Sequence, residues 1–235
     1  MNQALAIEVQ NVTVIYNEGT PNEVVSLDNV SLNVAKGQIV IVTGGNGSGK
    51  STLLKAIAGT TPIKSGKILL HGKDVTNWPA HRKAKEIGFV HQDPILGTCP
   101  NLTVHENFQL STSKPWWMPI PYRLSLSEEQ LEFIGKTGLP LIEKAATPVS
   151  MLSGGQRQAI ALCLAFGPNY SILLLDEFTS ALDEKTEEKV LSFALTELRR
   201  FNATALIIMH DLNKAKELRF PRFKMNYGKL INDSF

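Results

Sequence analysis

The stretch that most constrains this chain is Ile39-Val40-Ile41-Val42-Thr43 followed by Gly44-Gly45-Asn46-Gly47-Ser48-Gly49-Lys50-Ser51-Thr52. An unbroken apolar run, a glycine-rich turn and a helical pattern predict a buried strand, a loop and a helix start. Gly44, Gly47 and Gly49 permit backbone angles that a side chain forbids, so successive N–H groups can turn inward around a chain of phosphates. The helix opening at Gly49 to Ser51 adds its own free N–H groups and the positive end of its dipole. Lys50 brings an ammonium to the outer phosphates, and the Ser51 hydroxyl is suited to ligating magnesium. The bland alternative is a chance glycine-rich turn. Against it stand the preceding strand and the helical spacing of Leu53, Leu54, Ile57 and Ala58, which Gly59 ends.

A chain of 235 residues can bury one large α/β core with a subdomain. Its 43% hydrophobic and 20% charged residues fit an ordinary globular protein. No apolar run approaches the roughly 18 to 20 residues that span a bilayer, and the first residues lack a signal-peptide pattern. A chain soluble by itself is expected, with any membrane role left to a partner. A net charge of +2 with scattered basic residues argues against a nucleic-acid partner. Cys99 and Cys163 have no metal-binding spacing and read as ordinary thiols of a reducing cytosol.

Ile7, Val9, Val12, Val14 and Tyr16 alternate with polar residues, as do Val30, Leu32 and Val34 after a loop holding Gly19-Thr20-Pro21-Asn22. They predict an antiparallel flap beside the main sheet. Tyr16 is either an edge residue or an aromatic plate for a nucleotide base. Residues 65–72 predict a short strand, and His81-Arg82-Lys83-Ala84-Lys85 a short basic helix whose charges form a solvated face. A strand over Ile87-Gly88-Phe89-Val90-His91 then stops at Gln92-Asp93-Pro94. Gln92 is a turn residue or a group orienting magnesium or water. His71, His81, His91 and His105 lack the sheet-edge placement that His210 has and read as ordinary histidines.

From Asp93 to about Met151 proline is dense and helices replace strands. Thr103 to Glu106 and Ser127 to Gln130 read as capping boxes of short helices in an inserted helical subdomain. Trp116-Trp117-Met118-Pro119-Ile120 is either packed beneath that insertion or a partner-binding surface. Leu152-Ser153-Gly154-Gly155-Gln156-Arg157 opens a helix that Gly167-Pro168 ends; Ser153 can cap it while the glycines leave its first N–H groups bare. If this second anion-binding helix start served the same nucleotide, it would most simply come from another copy of the chain.

Ile172-Leu173-Leu174-Leu175-Asp176-Glu177 predicts a buried strand ending in two acids at the sheet edge that carries the phosphate loop. Asp176 is suited to holding magnesium through water, and Glu177 to taking a proton from an attacking water. Ser180-Ala181-Leu182-Asp183 leads into a helix of Val190, Leu191, Ala194 and Leu198. Ala205 to Met209 predicts another buried strand, ending at His210, a γ-phosphate sensor or a satisfied strand-end histidine. Asn226-Tyr227-Gly228 reads as the turn of a closing hairpin.

Taken together, Gly44 to Thr52, Gln92, Leu152 to Gln156, Leu173 to Glu177, Ser180 to Asp183 and His210 resemble the ordered motif set of ATP-binding cassette (ABC) ATPases over nearly the whole chain. The resemblance implies an α/β fold, a P-loop NTPase core with a mostly parallel, RecA-like sheet. That core lobe covers about 1–92 and 167–235, with the helical subdomain at about 93–166. It implies binding and hydrolysis of ATP with Mg2+, with Gly44 to Thr52 of one copy and Ser153 to Gln156 of another enclosing each ATP in a head-to-tail homodimer. It also implies that Tyr16 stacks on adenine, Lys50, Ser51, Asp176, Glu177 and Gln92 serve the phosphates, the metal and the water, and Asp183 and His210 couple the two sites. The implied partners are membrane permease subunits, which Gln92 contacts, and a substrate-binding protein, on the cytoplasmic face of a membrane. Gln92-Asp93-Pro94 with Gly97-Thr98, Pro100 and Leu102-Thr103 is similar to a bacterial importer subgroup associated with aromatic amino acids. Phe178 departs from the proline found there in many members. The competing expectations are a soluble cassette ATPase acting on ribosomes or DNA, and a P-loop nucleotide kinase, which has no need of Leu152 to Gln156.

Overall fold

The structure, a computed structural model, describes residues 4–111, 126–166 and 170–233. The first half contains β1 (Leu5–Tyr16), β2 (Val24–Ala35), β3 (Ile39–Gly44), α1 (Lys50–Ala58), β4 (Ser65–Leu70), β5 (Lys73–Asp74), α2 (Ala80–Lys83), β6 (Ile87–Val90) and α3 (Val104–Ser111). There follow α4 (Glu128–Gly135), α5 (Gly154–Phe166), β7 (Ile172–Asp176), α6 (Glu184–Arg200), β8 (Thr204–Ile208), α7 (Leu212–Glu217), β9 (Arg222–Asn226) and β10 (Lys229–Asn232). The expectations for Trp116 to Ile120 and for Gly167-Pro168 lie outside the described residues. Among those described, no helix is long and apolar enough to cross a membrane.

Two compact units divide the chain: residues 1–89, 171–177 and 202–235 form one, and 90–170 and 178–201 the other. The first holds two sheets. Alternating apolar residues build the antiparallel sheet β2-β1-β4-β5, where Ile7, Val9, Val12 and Val14 turn one buried face inward. β2 starts earlier than its own alternation indicates, because Tyr16 pairs with Val24 and draws the exposed Val24 and Val25 into the ladder.

The six-stranded sheet has the order β10-β9-β3-β8-β7-β6, with β9, β3, β8 and β7 mutually parallel. The interior strands β3, β7 and β8 are buried along their length, as continuous Val, Ile and Leu runs require. α1 lies in the same core as both sheets: Leu53, Leu54 and Ile57 share one buried cluster with Ile7, Val12 and Leu27 and with Val40, Val42, Leu174 and Leu206. The expected closing hairpin is present: β9 and β10 pair around Tyr227 (φ 45) and Gly228 (φ 76), two left-handed residues that match the strand twist.

The basic helix α2 corrects one expectation. His81, Arg82 and Lys85 are solvated or partly so, but Lys83 is 1% exposed. Its stem packs against Gly59, where the missing side chain makes room: a Cβ there would stand 2.8 Å from Lys83 Cδ.

In the second unit the two predicted capping boxes form. Thr103 donates its N–H (2.8 Å) and hydroxyl (2.9 Å) to Glu106, and the Glu106 N–H returns to Thr103 Oγ1. At α4 the Ser127 N–H donates to Gln130 Oε1 and the Gln130 N–H to Ser127 Oγ. Asn107 is buried and its amide donates to the carbonyls of Cys99, Leu102 and Thr103, holding the turn before α3. Phe133, Phe166 and Phe193 meet edge to face, joining α4, α5 and α6.

Candidate nucleotide site

The parallel register sets the site of the first unit. Val42 and Asp176 both pair with Ile208, so β3, β7 and β8 end together, and each strand delivers its following residues to one sheet edge. β3 delivers the loop of residues 44–49, β7 delivers Asp176 and Glu177, and β8 leads through Met209 to His210. Gly44 (φ 148) and Gly49 (φ 105) allow the loop to pass close to neighbouring main chain. A Cβ at Gly44 would stand 2.3 Å from Met225 O, and one at Gly49 would stand 2.4 Å from Ser26 O. Gly45, Asn46 and Gly47 at the crest are exposed, while Ser48, Gly49 and Lys50 are buried.

Lys50 folds back over this loop. Its Nζ donates to Gly44 O and Gly45 O, both at 3.1 Å, and lies 3.2 Å from Glu177 Oε1. Every one of these partners is an oxygen, the kind of acceptor that phosphate oxygens can replace. Ser51 Oγ donates to Asp176 Oδ1 at 3.0 Å. Burial pushes the Asp176 carboxyl above the usual carboxylate range; the Ser51 hydroxyl opposes this, Glu177 adds to it, and Lys55 and Lys50 oppose it. Glu177 takes a left-handed backbone (φ 41) just past the strand, while its N–H donates to Ile208 O at 3.3 Å. Such a conformation in a non-glycine residue costs energy that the surrounding structure must sustain, and it turns the carboxylate onto Lys50.

Tyr16, 37% exposed, ends β1, and its hydroxyl lies 3.5 Å from Thr52 Oγ1 and 3.5 Å from Thr61 Oγ1. Thr52 is also held by Ser26 Oγ at 2.8 Å. Ser26 escaped the sequence reading because nothing local marks it: only the pairing of β1 with β2 carries it to the start of α1. His210 is exposed at the end of β8, beside Asp211, whose carboxylate caps α7.

The other predicted residues belong to the second unit. Gln92 Nε2 donates to Ser180 Oγ at 3.3 Å. Ser153 and Gln156 form a further capping box: Gln156 Oε1 accepts the Ser153 N–H at 3.1 Å and Ser153 Oγ accepts the Gln156 N–H at 3.3 Å. Gly154 faces open space, whereas the Cα of Gly155 lies against α6, where a Cβ would stand 2.3 Å from Thr186 Cγ2. Asp183 caps α6 by accepting the Thr186 N–H, and the Thr186 side chain first and this N–H second hold its carboxyl below the usual range.

This arrangement can surround an anionic phosphate chain with amides and an ammonium, and set a serine–aspartate pair beside it. Among the described residues no group of three or more His, Cys, Asp or Glu is suited to holding a metal alone.

The family model for the ABC transporter matches residues 27–180. A tyrosine transport ATP-binding protein of Clostridioides difficile is 34% identical over 92% of this chain and 85% of its own length. A methionine import ATP-binding protein of Corynebacterium glutamicum is 30% identical over 97% of this chain; the chain spans 62% of that relative's length. Among solved structures, the dimeric post-hydrolysis state of an ATP-binding cassette bound to ADP and Pi superposes with a TM-score of 0.79, at 28% identity, covering 97% of this chain and 99% of that one. With a phosphate-loop lysine, a strand-end acid pair and matches of this extent, the chain belongs to the ABC transporter family of ATP-binding ATPases.

Proposed function

We propose that this chain energises a membrane importer for small solutes of the amino-acid class by binding and hydrolysing ATP between two copies of itself. The observation that carries the reading is the pairing of Lys50 with Glu177 and of Ser51 with Asp176 on one sheet edge. Phosphoryl transfer asks a protein chiefly for positioning and for neutralisation of developing charge. Lys50 and the amides of residues 45–50 supply both to the terminal phosphates. Glu177 is the general base that accepts a proton from the attacking water, with its backbone turned so that the carboxylate already faces Lys50.

The donor set fits magnesium. A hydroxyl and a single buried carboxylate, with water and phosphate oxygens completing the shell, suit a hard cation that keeps much of its own water. The rise in the Asp176 pKa marks a carboxylate that a nearby cation would relieve. Ser51 and Asp176 would hold the ion, with Gln92 a further candidate, and the ion would spread the negative charge that builds on phosphate oxygens.

Ser153, Gly154, Gly155 and Gln156 of a second copy close the nucleotide from the far side in this proposal, and Tyr16 supports the base. Permease subunits and a substrate-binding protein are the partners, with the chain on the inner face of the membrane. The transport names of the relatives favour import over action on ribosomes or DNA, and the capped helix start at Ser153 has no use in a nucleotide kinase.

The test is Glu177→Gln, which keeps the volume and removes the base. Turnover by the purified variant is expected to fall by about 10²- to 10⁴-fold while nucleotide binding persists. Hydrolysis close to that of the unsubstituted chain would refute the role of Glu177.

A further inference from the structure

We propose that Gly228, in the turn of the β9–β10 hairpin, is a positioning residue for the phosphate-binding loop. The inference rests on reading residues 44–52 as the nucleotide site. Gly44 pairs with Met225 at the end of β9, so the turn that follows lies directly beside the loop. There Gly228 is bonded on both sides. Its N–H donates to Ser48 O at 3.0 Å, and its carbonyl accepts the Asp28 N–H from β2 at 2.9 Å.

These contacts run main chain against main chain. Gly228 is left-handed (φ 76), and a Cβ there would stand 3.1 Å from Ser26 O and 3.3 Å from Ser26 C. The same Ser26 carbonyl crowds Gly49 of the loop. The Lys229–Asp28 ion pair, at 3.3 Å, spans the hairpin and β2. Ser48 Oγ is buried and has no hydrogen-bond partner among the described residues, so its side chain does not anchor the loop here.

The consequence follows from peptide planarity. Ser48 C=O and Gly49 N–H belong to one rigid peptide unit and point in opposite directions. The Gly228 amide that fixes the Ser48 carbonyl therefore fixes the direction of the Gly49 N–H, one of the amides that must face a phosphate. A side chain at 228 would push the turn off Ser26, pull on the Ser48 carbonyl and rotate that amide out of line.

Gly72 is the matching control. It has the same backbone sense (φ 75), lies just before β5, and a Cβ there would meet nothing within 4 Å. Strain without contact is what Gly72→Ala introduces.

The experiment measures MgADP binding by calorimetry and ligand-free melting for the full chain and for Gly228→Ala, Gly228→Val and Gly72→Ala. ADP needs neither hydrolysis nor a second copy. The expected result is a rise in the MgADP Kd of about three- to tenfold for Gly228→Ala, the weight of one backbone hydrogen bond, and at least as much for Gly228→Val. Gly72→Ala is expected to melt earlier yet bind as the unsubstituted chain does. Should Gly228→Val fail to fold, Gly228→Ala alone decides. Unchanged affinity in the Gly228 variants, or an equal loss in Gly72→Ala, would overturn the positioning role. Absence of MgADP binding by the unsubstituted chain would instead refute the nucleotide reading, and this inference with it.

Discussion

Lys50 and Glu177 form an ion pair whose side chains are only 5% and 12% exposed, so each offsets the burial of the other. In the proposed function, phosphate oxygens entering the loop take over the ammonium and leave the carboxylate free to face an attacking water. The placement of Lys50 and Glu177 on one sheet edge was legible, because lysine after a glycine loop and acids after an apolar strand are marked in local sequence. Lys83 was not: within His81-Arg82-Lys83 it looks like one more solvated charge, and its burial depends on Gly59 lying opposite. Burial pushes the Lys83 ammonium below the usual lysine range, partly opposed by Asp74. The folded chain therefore binds fewer protons at this site than the unfolded chain does at pH values between the lowered value and the ordinary one. Stability contributed through Lys83 rises with pH across that window. In denaturant titrations carried upward toward the ordinary lysine value, about 10.4, the unsubstituted chain is expected to gain stability relative to Lys83→Met. A gap that stays constant, or moves the other way, would contradict this.

At the scale of elements, helix starts were the most readable features, since a capping box is written within four residues. Replacing Ser127 by Ala removes the acceptor for the Gln130 N–H at the start of α4 and is expected to cost about 1 kcal/mol in urea unfolding. The companion box at α3 gives a pH signature. The N–H and hydroxyl of Thr103 hold the Glu106 carboxyl below its usual range. That contribution is complete above the ordinary carboxylate value and is lost as pH falls through the lowered one. The stability gap between the unsubstituted chain and Glu106→Gln should therefore narrow on acidification, as melting temperatures at a series of acidic pH values would report. The hairpin turn at Tyr227-Gly228 was legible as a turn, but its bond to Ser48 was not, because strand order in the sheet decides which loop a turn lies beside.

For the molecule as a whole, a phosphate-loop core with a helical insertion was legible from the change of pattern after Asp93. The sequence expectation keeps α6 in the core lobe, whereas the compact unit that holds it in the structure is the helical one. The stripe read in the sequence, Val190, Leu191, Ala194 and Leu198, marks a buried face without saying which neighbours bury it; Leu191 is only half-buried, and Phe193 joins the face instead, against Phe133 and Phe166. The proposed function needs two such molecules. Nucleotide bound to Lys50 and Ser51 of one copy is to be enclosed by Ser153 to Gln156 of the other, and hydrolysis removes the bridge between them, giving the two states that a transporter needs. The most direct measurement is sedimentation velocity of the Glu177→Gln chain, in which bound ATP is expected to persist. A dimer is expected in saturating MgATP and a monomer in MgADP. A monomer in both, even together with its membrane subunits, would contradict it.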